Sequence, residues 1–400
     1  MTYEAGTPEL ARLDGYIERV TGSLRDCRSR ASFATYAHGL LSDGERKSME
    51  PMAARMCVDP DDDRAMQRGH DRMINLVSRA EWEDAPVRRE AVGYALDAIR
   101  ARGEAVEVCI VDDTGFLKQG KCSPGVHRQY TGSAGKTANC QVAVSLTVAS
   151  RSTHVLADME LYLPEAWTND RARCRAAKIP DDVGYRPKWM MALLMIERAK
   201  AAGIPLGVVL ADSAYGDVRE FRAGLMWLGL PYAVGIHSTT TVVPLGLRSC
   251  EGSIQVAKLA VLLPKTAFRQ VTWRQGSARA MVSRFARRRV RVGDFEQDLL
   301  IEWPDGEAKP TAFSLVAIPG KQSTKQMVRI LKQRWRTERV YQDAKGELGL
   351  DHFEGRSWRG WNHHVTLALC SYAFVVAEQL RFFSLTTRGA RWDDPLAPAA

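Results

Sequence analysis

Two periodicities divide the chain. Up to about residue 100 the apolar positions recur every three or four residues, which predicts helices over Leu10–Leu24, Glu45–Met56, Asp63–Ala80 and Ala85–Ala101. The acidic run Pro60–Arg64 between them reads as a loop. From Val106 the pattern changes. VEVCIVDD is a short apolar run ending in acid, as a strand buried on both faces would be. A loop rich in Gly, Lys and Ser follows from Gly115 to Lys136. Cys140–Ser150 and His154–Pro164 then read as two strands of an antiparallel hairpin. After a polar loop come an amphipathic helix (Lys188–Ala202), a strand (Pro205–Asp212), a helix (Val218–Leu228) and a strand (Tyr232–Ile236). That order predicts an α/β domain whose sheet has antiparallel and parallel parts.

The alternation stops at residue 238. TTVVPL, RQVTWRQ, ARAMVSRF, RRRVRVGDF, DLLIEW and AFSLVAIP succeed one another, separated by turn residues such as Pro304–Glu307. This predicts a β-rich insert over 238–320. Helices return at 321–385, ending in an apolar helix from His363 to about Arg381. The tail 386–400 mixes charges with PLAPAA and is expected to be disordered. The expected organisation is therefore a helical N-terminal domain (1–100) that could bind DNA or simply pack, and the first part of an α/β core (101–237). The insert comes next, and C-terminal helices complete the core.

Composition alters this picture at one place. The net charge of +9 is moderate for 400 residues, but Lys265–Val292 holds nine Lys or Arg and no acid. Such a run suits a polyanionic partner, of which nucleic acid is the usual one. The eight cysteines form no CxxC pair, and with no signal peptide ahead of them a reducing cytoplasm is expected. The apolar stretch His364–Leu380 carries Ser, Glu and Gln and falls short of a membrane span, so no membrane association is expected.

Chemistry concentrates near the C-terminus. In RWRTERVYQDAK, Arg334, Glu338, Tyr341 and Lys345 lie at offsets of 4, 7 and 11, which places them on one face of an ideal helix. A carboxylate bracketed by long cations suits a metal ligand flanked by phosphate contacts. Cleavage of a phosphodiester with two metal ions needs carboxylates from separate elements, and hard Mg²⁺ takes oxygen ligands. Asp112 or Asp113 and Asp212 end strand-like runs, where open α/β sheets place their ligands. Adjacent strand residues point to opposite faces, so Asp112 and Asp113 are not equivalent. Glu347 lies nine residues beyond Glu338 on the opposite helical face, which favours Glu338.

VDDTGFLKQGK (Val111–Lys121), LADSAYGD (Leu210–Asp217) and RWRTERVYQDAKGELGLDHFEGRSWRGW (Arg334–Trp361) together resemble bacterial insertion-sequence transposases of the DDE superfamily. The resemblance implies a ribonuclease H-like catalytic core with a strand-rich insert between the second Asp and the Glu. It implies DNA transposition, with cleavage at transposon ends and joining of the 3′-hydroxyl to target DNA. A nuclease of the same class that does not join, or a domesticated DNA-binding protein, are the alternatives. Asp112 within Asp-Asp-Thr, Asp212 and Glu338 would be catalytic and hold two Mg²⁺ (or Mn²⁺) ions. Arg334 and Lys345 match two further signature positions, while Leu331 stands where Tyr is usual. These two cations, with Lys118, Lys121, Arg287, Arg288 and Arg289, would contact DNA. Trp273 and Trp303 in the insert could stack on a flipped base. The implied partners are terminal inverted repeats and target DNA, with a homodimer in the DNA-bound complex and a cytoplasmic, nucleoid-associated location in a bacterium.

Overall fold

A computed structural model describes residues 7–59, 61–246, 252–275 and 280–386. In chain order the first helices are α1 (Pro8–Val20), α2 (Cys27–Leu41), α3 (Met49–Arg55), α4 (Asp63–Ile74) and α5 (Asp84–Ala101). Then come β1 (Val106–Leu117), β2 (His127–Thr131), β3 (Lys136–Ser150), β4 (His154–Leu161), α6 (Glu165–Thr168), α7 (Arg171–Ala176) and α8 (Lys188–Ala201). The middle of the chain forms β5 (Val208–Ala211), α9 (Ser213–Gly216), α10 (Arg219–Trp227), β6 (Tyr232–Ile236), β7 (Thr241–Pro244), β8 (Ile254–Gln255) and α11 (Val256–Leu262). The remainder is β9 (Arg269–Gln275), β10 (Ala280–Val292), β11 (Phe295–Trp303), β12 (Ala312–Ala317), α12 (Thr324–Leu331), α13 (Trp335–Gly346) and α14 (Trp358–Thr386). The fold is mixed α/β with a large mixed sheet flanked by helices, as the ribonuclease H-like expectation requires. The tail expected to be disordered lies outside the described residues from 387 onward.

The described residues group into two compact units. The first comprises 7–105, 113–187 and 337–386. Its core helix is α14, lined by buried Val365, Leu369, Ala373, Phe374 and Ala377 and packed on α5 and β4. The helix is longer than expected. By length and hydropathy it could cross a membrane, but 72% of its apolar window is buried inside the fold, as befits a core helix apolar on all sides. Arg88 of α5 is buried here with its charge fully engaged, donating to Asp158 Oδ1, Met159 O and Thr366 Oγ1 at 2.8 Å each. β3 pairs antiparallel with β2 and β4 and is buried along its last eleven residues.

The second unit comprises 106–112 and 188–336. Its strands run in the order β1-β5-β6-β12-β11-β10-β7-β8, with β9 on β10. β1, β5 and β6 are parallel, and the remaining pairs are antiparallel. The predicted insert is thus β-rich but continues the sheet through β12. It also contains α11, which the run of strand-like segments conceals. Two further expectations need correction. The loop after β1 contains β2, whose polar sequence HRQYT fits a largely exposed edge strand. The helical stripe is not one helix: α12 ends at Leu331, a 3-10 turn covers Lys332–Arg334, and α13 starts at Trp335. Arg334 therefore lies in the turn that precedes α13, not in the helix that carries Glu338.

Candidate active site

The second unit brings two carboxylates to one level. Val108 and Ile110 of β1 lie opposite Val208 and Leu210 of β5. Two residues on, the same register sets Asp212, just past the end of β5, level with Asp112; β1 does not end there as its sequence suggests but runs on to Leu117. β5 stops there because Asp212 caps α9, its Oδ1 accepting from Ala214 N at 2.9 Å. Close packing explains the glycine of LADSAYGD. A Cβ on Gly216 would lie 2.1 Å from Gly235 O on β6, so only glycine lets α9 seat against that strand.

Asp112 is largely buried and forms an ion pair with Arg334, Nη1 to Oδ2 at 2.9 Å. Beyond Asp212, Asp217 accepts from His237 Nδ1 at 3.1 Å, from His237 N at 3.3 Å and from Thr240 Oγ1. Burial alone would raise the Asp217 pKa. The bonds from Thr240 and His237 outweigh it and hold the carboxylate below its usual range. Sequence reasoning missed this cluster, because twenty positions separate Asp217 from His237 and the fold alone brings them together.

The first unit holds the rest of the proposed signature. Glu338 is exposed in the first turn of α13, whereas Glu347 follows the end of that helix. Lys345 donates to Gly115 O at 2.7 Å, Thr114 Oγ1 at 2.9 Å and Ser133 Oγ at 3.3 Å. Burial pulls its pKa down. The Tyr341 hydroxyl meets Ser145 Oγ at 2.5 Å, and its ring is half-buried. Gly115 is required beside them, because a Cβ there would lie 1.9 Å from Thr131 Oγ1. Among the described residues no three His, Cys, Asp or Glu side chains converge closely enough to hold a metal ion.

The other cations differ in how far they are engaged. Lys118 donates to Phe353 O at 2.6 Å and is held below its usual pKa by burial, while Lys121 is exposed. Arg287 grips Asp298 through two bonds of 2.8 and 3.0 Å and donates to Gln322 O at 2.7 Å. Arg288 donates to Arg287 O at 2.9 Å, and its buried Nε has no partner. Arg289 is half-exposed, 3.6 Å from Asp298. Trp273 carries Lys332 Nζ 4.5 Å from its ring centroid, and Trp303 carries the Arg284 guanidinium at 4.7 Å. His363 and His364 are buried against backbone carbonyls, which fits a structural role. Trp361 seals the core against Phe116.

Comparison with known proteins bears on this arrangement. Residues 20–280 match the family described as DDE superfamily endonuclease. Residues 189–374 match that described as transposase DDE domain. The first match includes Asp112 and Asp212, and the second includes Asp212 and Glu338. The chain is also 28% identical over 232 residues to the "Probable transposase for insertion sequence element IS701" of Microchaete diplosiphon. That alignment covers 58% of this chain and 55% of the relative, so the chain spans about half the length of the curated protein it matches.

Proposed function

The chain belongs to the DDE endonuclease superfamily, and we propose on that premise that it is an insertion-sequence transposase. It would cut DNA at transposon ends and join the freed 3′-hydroxyl to target DNA. The observation that carries this reading is the parallel register of β1 and β5, which levels Asp112 of β1 with Asp212 at the carboxyl end of β5. These two carboxylates, with Glu338 as a third, would supply the all-oxygen donor set that suits hard divalent cations. When bound, two Mg²⁺ or Mn²⁺ ions supply an activated oxygen nucleophile and charge for the leaving oxygen. We assign the third ligand to Glu338 because it is exposed early in α13, while Glu347 lies past the helix end.

The protein's own groups do the positioning. Asp112 is held within β1 and Asp212 by the end of β5 and its helix cap, so their oxygens are set before substrate arrives. Arg334 reaches Asp112 through one nitrogen only. The rest of its fork can take a phosphate oxygen, as guanidinium geometry favours. Lys345 and Lys118 spend their ammonium groups on Gly115 O within β1 and on Phe353 O ahead of α14. Lys121, exposed on the loop after β1, and Arg288 and Arg289 on β10 are assigned to phosphates of the duplex, with Arg287 as their support. Two ends cut and joined together require two active sites, hence a homodimer on DNA. The β-rich segment 238–320 is proposed as the insert that carries the transposon end.

An assay with a pre-cut transposon end, a target duplex and Mg²⁺ tests the reading. Joined product is expected, and it should vanish in Asp212→Asn and in Glu338→Gln while DNA binding persists. Cleavage without any joined product would make the protein a nuclease of the same class. Binding without either reaction would leave only a DNA-binding role.

A further inference from the structure

Unspent positive charge lies on α7, a region that the sequence pattern leaves as a polar loop. Residues 171–180 read RARCRAAKIP, with four cations and no acid. The helix is short but firmly held. Asp170 caps it, accepting from Arg173 N at 2.9 Å. Val126, Leu163, Trp167, Cys174, Ala177 and Ile179 form a small core beneath it. Arg173 lies 3.8 Å above the Trp167 ring and donates to Lys121 O at 2.8 Å, which ties α7 to the loop after β1. Exposed Lys121 and the α7 cations therefore belong to one rigid surface.

This surface carries costs that nothing local offsets. Arg171 and Arg175 are like charges at i and i+4, a destabilising spacing. The helix dipole favours Arg175 near the C-terminus but disfavours Arg171 at the first position. Lys178 has φ 55°, the one described residue other than glycine in the left-handed region. It occupies the helix-ending turn that glycine usually fills, with Ile179 N bonded to Cys174 O. A side chain there costs about 1 kcal/mol or more. Arg171, Arg175 and Lys178 are exposed, and none pairs with an acid among the described residues. Asp170 is spent on the cap, and Asp181 and Asp182 follow the run without bonding to it. Small exposed Ala172 and Ala176 leave room for a backbone to approach.

We propose that Arg171, Arg175 and Lys178, with Lys121, form a landing surface for the phosphate backbone of duplex DNA. The inference rests on the DNA-acting reading above and adds a contact surface on the first unit. Phosphate contacts of this kind fix the duplex without reading its sequence.

The test is a salt titration of duplex binding by fluorescence anisotropy in metal-free buffer, so that no cutting intervenes. The slope of log affinity against log salt should fall in magnitude by about 3 in the triple variant Arg171→Gln/Arg175→Gln/Lys178→Gln. Lys178→Gly separates binding from folding. Removing the strained side chain should raise Tm while the slope falls by about 1, whereas a purely structural lysine would lower Tm and leave the slope alone. Wild-type slope in the triple variant overturns the inference. So does loss of binding to poly-glutamate with the DNA slope intact, which would assign the surface to an acidic protein. A wild-type protein that binds no duplex would instead overturn the transposase reading.

Discussion

Two arginine–aspartate pairs in the second unit have nearly the same shortest contact and opposite designs. Arg287 and Asp298 meet at 2.8 Å between neighbouring strands β10 and β11. The carboxylate is buried, both its oxygens are bonded, and the guanidinium also holds Gln322 O. Arg334 and Asp112 meet at 2.9 Å through a single nitrogen, and Arg334 is one-third exposed. The first pair consumes the fork and locks two strands. The second leaves most of the fork available and can be exchanged. Charge counted along a sequence is therefore not charge available to a ligand. The nine cations of Lys265–Val292 look like a DNA-binding surface, yet Arg284, Arg287 and Arg289 each lie within ion-pair distance of an acid.

The contrast can be broken at its carboxylates. Asp112→Asn should lower end cleavage by about 10³-fold or more, at least the cost of removing one transition-state stabilising group, with DNA binding by gel shift retained. If Asp113→Asn abolishes cleavage instead, the ligand moves one residue along β1. Asp298→Ala should leave chemistry intact and lower stability by about 2 kcal/mol in urea denaturation. That value sits below the usual cost of breaking a fully buried pair, because Arg287 is about one-third exposed. Equal losses of stability from Asp298→Ala and Asp112→Ala would erase the distinction between lock and exchangeable pair.

How much of this was legible depends on the kind of signal. β6 was read to its final residues because an apolar run is bounded by Pro231 and His237. The end of β5 before Asp212 was legible for the same reason, whereas β1 runs on past Asp112 to Leu117. α2 was not, since its buried face includes Ser32, Ala37 and Gly39, which carry little aliphatic periodicity. β2 was hidden by its polar, exposed sequence. The stripe was misjudged because offsets of 4, 7 and 11 assume an unbroken helix, and nothing in KQRW announces a 3-10 turn. The consequence, Arg334 on Asp112, joins positions 222 apart and is a product of packing.

Arg287→Lys sharpens the comparison with a smaller change. It keeps the charge but loses the two-pronged grip, so about 1 kcal/mol of stability should go. A Lys variant as stable as wild type would mean that the fork geometry contributes little and that charge alone holds β10 to β11.

The smallest expected effect is the most discriminating. A double-mutant cycle on Arg334→Ala and Asp112→Ala, read by urea denaturation, should give a coupling below about 1 kcal/mol, as for pairs open to water. The reason lies in exposure and count: one bond between the two, with Arg334 one-third accessible, gains little over hydration. The same cycle on Arg287 and Asp298 should give a clearly larger value, because two bonds and a buried carboxylate resist separation. A weak Arg334–Asp112 coupling is what an exchangeable pair requires, since a phosphate must compete for the guanidinium at modest cost. A coupling as large as that in β10–β11 would make Arg334 a structural clamp and remove it from the DNA contacts.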